Sequence, residues 1–147
     1  MAGIIGTVLS GIGTLFQLLG MRRDAPDVRV DVVYALYVRP VTPDQPGLLI
    51  SARNHGRRPV DIDSVGLILE SRSTVAIADA RLPYRLEEGS RYTVSIPPAI
   101  VARANVDALG PIRWAFVSDA TEKMHRVDAR PAVQQMLRAV GGAAFGP

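Results

Sequence analysis

Residues 50–67 read ISARNHGRRPVDIDSVGL, and their periodicity decides the fold class. Leu48, Ile50 and Ala52 fall on alternate positions with Leu49, Ser51 and Arg53 between them. That period of two is a strand with one apolar face. Asn54, His55, Gly56 and Pro59 then form a turn in which Gly56 is free to take a positive φ. Alternation resumes with Val60 and Ile62 against Asp61 and Asp63. After Ser64 the apolar set moves by one position, to Val65, Leu67 and Leu69. A one-residue slip of phase predicts a bulge or a change of sheet.

Working outward, residues 28–38 are rich in β-branched and aromatic residues and predict a strand. Residues 39–47 carry three prolines and a glycine and predict a loop. Residues 73–78 predict a short edge strand, residues 82–90 a connection, and Tyr92, Val94 and Ile96 a further strand. Prolines open residues 97–110, where Ile100, Val101 and Leu109 have helical spacing and Gly110 ends the run. Ile112, Trp114 and Phe116 mark an alternating strand over 112–119, with Trp114 the expected core anchor. After a tight turn, residues 124–127 pair back as a hairpin arm. Residues 130–140 predict a helix that starts at Pro131, aligns Val133, Met136, Leu137 and Val140, and stops at Gly141. Seven or so short strands at such spacing predict a mainly β chain, an immunoglobulin-like β-sandwich with a helix at each end. The divisions fall at residues 1–23, 24–128 and 129–147.

A chain of 147 residues buries an adequate core without covalent staples. It has no cysteine, which excludes disulfides and thiolate zinc sites. Seventeen basic residues stand against fourteen acidic, a formal charge of +3, and Lys123 is the sole lysine. The arginines are scattered, and eight aromatics form no stripe, which argues against a nucleic-acid face.

Residues 3–20, GIIGTVLSGIGTLFQLLG, hold no charge and five glycines, and Arg22 and Arg23 follow. No basic residue precedes the run, so it does not read as a secretory signal. As a helix it has two stripes. Gly3, Gly6, Ser10, Gly13, Gln17 and Gly20 lie on one side, with Ile5, Val8, Leu9, Ile12, Leu15, Phe16 and Leu19 on the other. Small residues in line let another backbone approach closely. Glycines weaken an isolated helix by roughly 0.5–1 kcal/mol each, so this one needs support. Its length of about 27 Å falls a little short of a hydrocarbon core of roughly 30 Å. Lipid and a protein surface both remain open as that support. In lipid, the two arginines put the following domain on the cytoplasmic side.

Chemistry-bearing residues do not assemble into a catalytic pattern. His55 falls in a turn and His125 in a hairpin arm, neither with a carboxylate or second histidine at ligand spacing. Asp61 and Asp63 share a strand face and could meet a cation together with Asp119, but solvated alternation explains them. Gly11 and Gly13 lack the strand and third glycine of a dinucleotide site. Ser64, Ser90 and Ser118 have no histidine–carboxylate arrangement. The expectation is no enzyme, no cofactor and no metal, with a β-scaffold hydrolase as the remote alternative.

The stretch at 50–67 resembles a motif of small immunoglobulin-like proteins of bacteria and their phages: an aliphatic strand, Asn-x-Gly-x-x-Pro-Val, then a strand ending Val-Gly-Leu. LPYRLEEGSRYTVSI (82–96) and IRWAFVSDATEKMHR (112–126) look like later segments of the same proteins, many of which begin with a hydrophobic helix and basic residues. The resemblance covers about residues 1–128 and implies the fold; it implies no single activity, since the fold hosts many. The chain's start is shorter and richer in glycine than is usual in that group, and the C-terminal helix lies outside the shared pattern. The reading is therefore a structural or interaction protein, tied by residues 3–21 to a membrane or a larger oligomeric assembly. An accessory subunit of a phage-like particle is the alternative. Arg57, Arg58, Thr74 and Ala76 are the expected contacts with a protein partner, because exposed turn arginines and an unpaired edge both recruit neighbours.

Overall fold

The computed structural model describes residues 25–39, 42–107 and 111–143. The stripe Gly3, Gly6, Ser10, Gly13, Gln17 and Gly20 lies outside the described residues, as do Leu109 and Gly110. The chain is mainly β, with two antiparallel sheets and two helices. In the first sheet β1 (Val28–Arg39) pairs with β2 (Thr42–Asn54), and β2 with β6 (Arg91–Ile96). The second runs β4 (Thr74–Ala76), β3 (Val60–Leu69), β7 (Ile112–Asp119), β8 (Met124–Asp128). A short β5 (Tyr84–Leu86) pairs with the opening of β3, Val60↔Leu86 to Ile62↔Tyr84. The chain passes between sheets at β2–β3, β5–β6 and β6–β7, the last through α1 (Pro98–Asp107). Helix α2 (Arg130–Ala143) follows β8.

One apolar core draws on both sheets. Leu48, Ile50 and Ala52 of β2 are fully buried, with Val94 and Ile96 of β6 beside them. Ile62, Val65 and Leu67 of β3 and Ala115 and Val117 of β7 enter from the other sheet. Val101 and Ala104 of α1 and Ala132, Val133 and Met136 of α2 complete it. Each large aliphatic stabilises by about 1.5–3 kcal/mol on burial. The phase slip in β3 is present: the β3–β7 register shifts between Ile62 and Ser64, and the inward set changes from Val60 and Ile62 to Val65, Leu67 and Leu69.

Several local expectations fail for identifiable reasons. Residues 42–47 are not loop but the first half of β2, paired to β1 as far as Arg39↔Thr42. Pro43 and Pro46 lie beyond Leu48↔Ile96, the last β2–β6 pair, so β1 is their only strand neighbour among the described residues. A missing N–H is tolerated on such an edge. The connection at 82–90 contains β5, too short for its alternation to register. Helix α2 runs through Gly141 to Ala143. Its apolar line is only half inside: Val133 and Met136 are buried, while Leu137 and Val140 are exposed. Gly56 has no positive φ; Gly89, at 71°, does. Glycine is needed at 56 for close approach, because a Cβ there would collide with the Ala25 carbonyl and lie 2.5 Å from Asp27 N.

Trp114 is not a core anchor. The β7–β3 register skips Arg113, pairing Leu69 with Ile112 but Ile68 with Trp114. That irregularity changes the inward phase of β7. Ile112, Ala115 and Val117 face the core, and Trp114 and Phe116 turn to the sheet's other face.

Candidate functional site

The outer face of the second sheet follows from its register. Inward Val65, Leu67 and Leu69 leave Ser64, Gly66 and Ile68 on the opposite side of β3. Across the sheet, Ile68 aligns with Trp114 and Asp128, Gly66 with Phe116 and Arg126, and Ser64 with Ser118 and Met124. On the other flank Thr74 aligns with Ile68 and Ala76 with Gly66. Gly66 is the close contact that lets these strands nest. A Cβ there would collide with the Val75 carbonyl and lie 2.8 Å from the Phe116 ring. Phe116 is thereby buried, at 3% exposure, although it stands on the outer side.

Between β4 and β8 this face holds a groove of about 560 Å³, with Ile68, Thr74, Trp114 and Met124 among its walls. Met124 is 46% exposed, a large apolar surface in open water. Arg72, Arg113 and Arg126 also line the groove, together with Glu70. The guanidinium carbons of Arg113 and Arg126 stand 5.4 and 5.3 Å from the Trp114 ring centre, within cation–π range. Arg72 occupies the β3–β4 turn in the left-handed region, at φ 71°. The three arginines come from three separate elements, so no linear motif announces them.

The expected contacts fall at two places. Thr74 and Ala76 are exposed on β4, whose one strand neighbour among the described residues is β3. Arg57 and Arg58 are exposed in the β2–β3 turn, at the far end of β3. Val60 and Ile68 are eight positions apart, roughly 26 Å of strand, so the two pairs do not form one surface.

That β2–β3 turn is built around Asn54, which is fully buried. Its Nδ2 donates to the carbonyls of Arg58 (2.7 Å) and Leu86 (3.1 Å), and its Oδ1 accepts from Gly56 N (2.9 Å). Its backbone accepts from Gly89 N at 2.8 Å. One residue thus joins the turn to β5 through its side chain and to the β5–β6 connection through its backbone. Arg57 and Arg58 stand on a fixed backbone for this reason.

His125, expected to lack a carboxylate, has one: its Nε2 lies 3.1 Å from Asp119 Oδ2. Asp119 is buried, and its Oδ1 accepts from Thr121 N and Oγ1 and from Lys123 N. Burial pushes the Asp119 carboxyl up, but the bonds from Thr121, His125 and Lys123 outweigh it and hold it below its usual range. These contacts shape the β7–β8 hairpin. Asp61 and Asp63 are exposed, with Asp61 3.7 Å from Arg85. Among the described residues no three metal-ligating side chains converge.

A second polar knot ties the β4–β5 connection to β6. Buried Tyr92 donates to Asp79 at 2.6 Å, and Arg81 binds both Asp79 and the Thr93 carbonyl. The Arg81 and Tyr92 hydrogen bonds hold the Asp79 carboxyl well below the usual range. Burial first, then the bond to Asp79, pushes the Tyr92 hydroxyl up. With every partner engaged, this knot is structural.

The chain matches no protein-family model and no curated protein. Among the described residues no helix is long and apolar enough to cross a membrane.

Proposed function

We propose that the chain is a non-enzymatic interaction module with an immunoglobulin-like sandwich, joined through residues 3–21 to a membrane or a larger assembly and offering its second sheet to a protein partner. One observation carries the reading. Thr74 stands on the sheet's margin and also lines the groove beside Trp114, so an edge with no second strand neighbour among the described residues and an apolar face form one continuous surface. Open edges recruit strands, and exposed apolar faces rimmed by charge recruit partners. Three crossings between antiparallel sheets over one core support the immunoglobulin-like assignment.

Sedimentation of the full-length chain tests it. The expectation is a species larger than a monomer, or one held in solution only by detergent or vesicles. Gly6→Leu with Gly13→Leu, which fills the small-residue stripe, reduces that assembly. Assembly without lipid identifies a particle-type subunit, and dependence on lipid identifies membrane attachment. A full-length chain that stays monomeric and soluble without detergent refutes the proposal.

A further inference from the structure

We infer that the groove beside Trp114 takes an acidic, extended segment of a partner protein, with an apolar side chain over Met124 and Trp114 and carboxylates against Arg72, Arg113 and Arg126. This rests on the interaction-module reading and names the chemistry of its partner.

Charge is the first argument. Arg29, Arg81, Arg85 and Arg130 each pair with a carboxylate two residues away in sequence. Arg72, Arg113 and Arg126 make no salt bridge among the described residues. Three arginines face one carboxylate in the groove, Glu70. Asp128, on the same sheet face, is already bonded to Arg130 through both oxygens. The wall therefore carries more positive than negative charge, with Glu70 and the field of Asp128 on Arg113 balancing it only in part, and planar guanidiniums suit carboxylates by geometry.

The floor sets the second requirement. Ile68, Trp114 and exposed Met124 give the occupant an apolar contact between the charges. The groove opens on β4, whose far edge has no strand neighbour among the described residues, so an extended segment gains backbone hydrogen bonds there. Single-stranded nucleic acid fits less well. It needs aromatic faces for successive bases, yet among the described residues Trp114 is the single aromatic lining the groove and Phe116 is buried.

The test uses the full-length chain and a fluorescently labelled peptide of alternating glutamate and valine with a central leucine. Anisotropy is expected to show binding that weakens at least tenfold when the glutamates become glutamine, and that fades between about 50 and 500 mM salt. Arg113→Gln with Arg126→Gln weakens it at least tenfold. Arg53→Gln with Arg91→Gln, which removes equal charge from the other sheet, changes it less than twofold. Four results overturn the inference: no binding below about 1 mM, equal binding of glutamine and glutamate peptides, equal loss in both arginine pairs, or oligothymidylate binding as tightly. If the peptide fails while the chain still assembles on sedimentation, this inference alone falls. If assembly fails as well, the module reading falls with it.

Discussion

Replacing Asn54 tests whether one buried amide holds the β2–β3 turn together. Asn54→Ala removes the partner of Gly56 N and of the Leu86 carbonyl, both in buried bonds, and of the Arg58 carbonyl in a half-buried one. A buried polar group left without a partner costs about 1–3 kcal/mol, so the expected loss is about 3–5 kcal/mol, a large part of a typical domain's stability. Asn54→Asp keeps the acceptor for Gly56 but sets an anionic oxygen against two carbonyl oxygens. At neutral pH it should be worse than the alanine variant. That carboxyl's pKa is raised by folding, so its penalty is complete above the folded pKa and relieved as pH falls through it, when the protonated acid can donate to a carbonyl. Urea unfolding followed by the single tryptophan, at neutral and acidic pH, measures all of this. An alanine variant within 1 kcal/mol of the parent, or an Asn54→Asp variant whose deficit grows on acidification, refutes the reasoning.

Three further outcomes are expected. Gly66→Ala forces a methyl onto the Val75 carbonyl and the Phe116 ring and should cost at least about 2 kcal/mol in urea unfolding. Glu122→Gly relieves a left-handed φ of 64° in the β7–β8 turn and should stabilise by up to about 1 kcal/mol, read as a raised Tm. Folding depresses the Asp79 carboxyl, and it depresses Asp128, bonded to Arg130, to about 2. Such groups contribute stability that is present above the unfolded pKa of about 4 and lost as pH falls below it. Stability should therefore decline below about pH 4, and Asp79→Asn should make that decline shallower in a pH series of urea midpoints.

How far the sequence revealed the molecule depends on whether a feature is local. The slip at Ser64 is legible because Val60 and Ile62 lie in one phase and Val65, Leu67 and Leu69 in the other. The phase of β7 is not legible. Ile112, Trp114, Ala115, Phe116 and Val117 are apolar on both faces, and the skipped Arg113, a matter of pairing with β3, decides which side is inside. The largest residue therefore draws the wrong assignment. Pro43 and Pro46 look like breakers because a single strand's sequence does not reveal that, among the described residues, β1 is their one strand neighbour. The edge at Thr74 and Ala76 was readable; the groove arginines were not, since the β3–β4 turn, β7 and β8 meet only in the folded sheet. The bond between His125 and Asp119 is likewise hidden, although the hairpin register Val117↔His125 brings them close.

The central claim is that the margin and outer face of the second sheet are where a partner sits. Hydrogen exchange on the full-length chain, compared with and without the glutamate–valine peptide, tests it most directly. The account predicts that amides of residues 72–76 and 113–116 slow when the peptide is bound, while those of the Arg57–Arg58 turn do not. Unchanged rates at 72–76 and 113–116, with slowing elsewhere on the β domain, would contradict it.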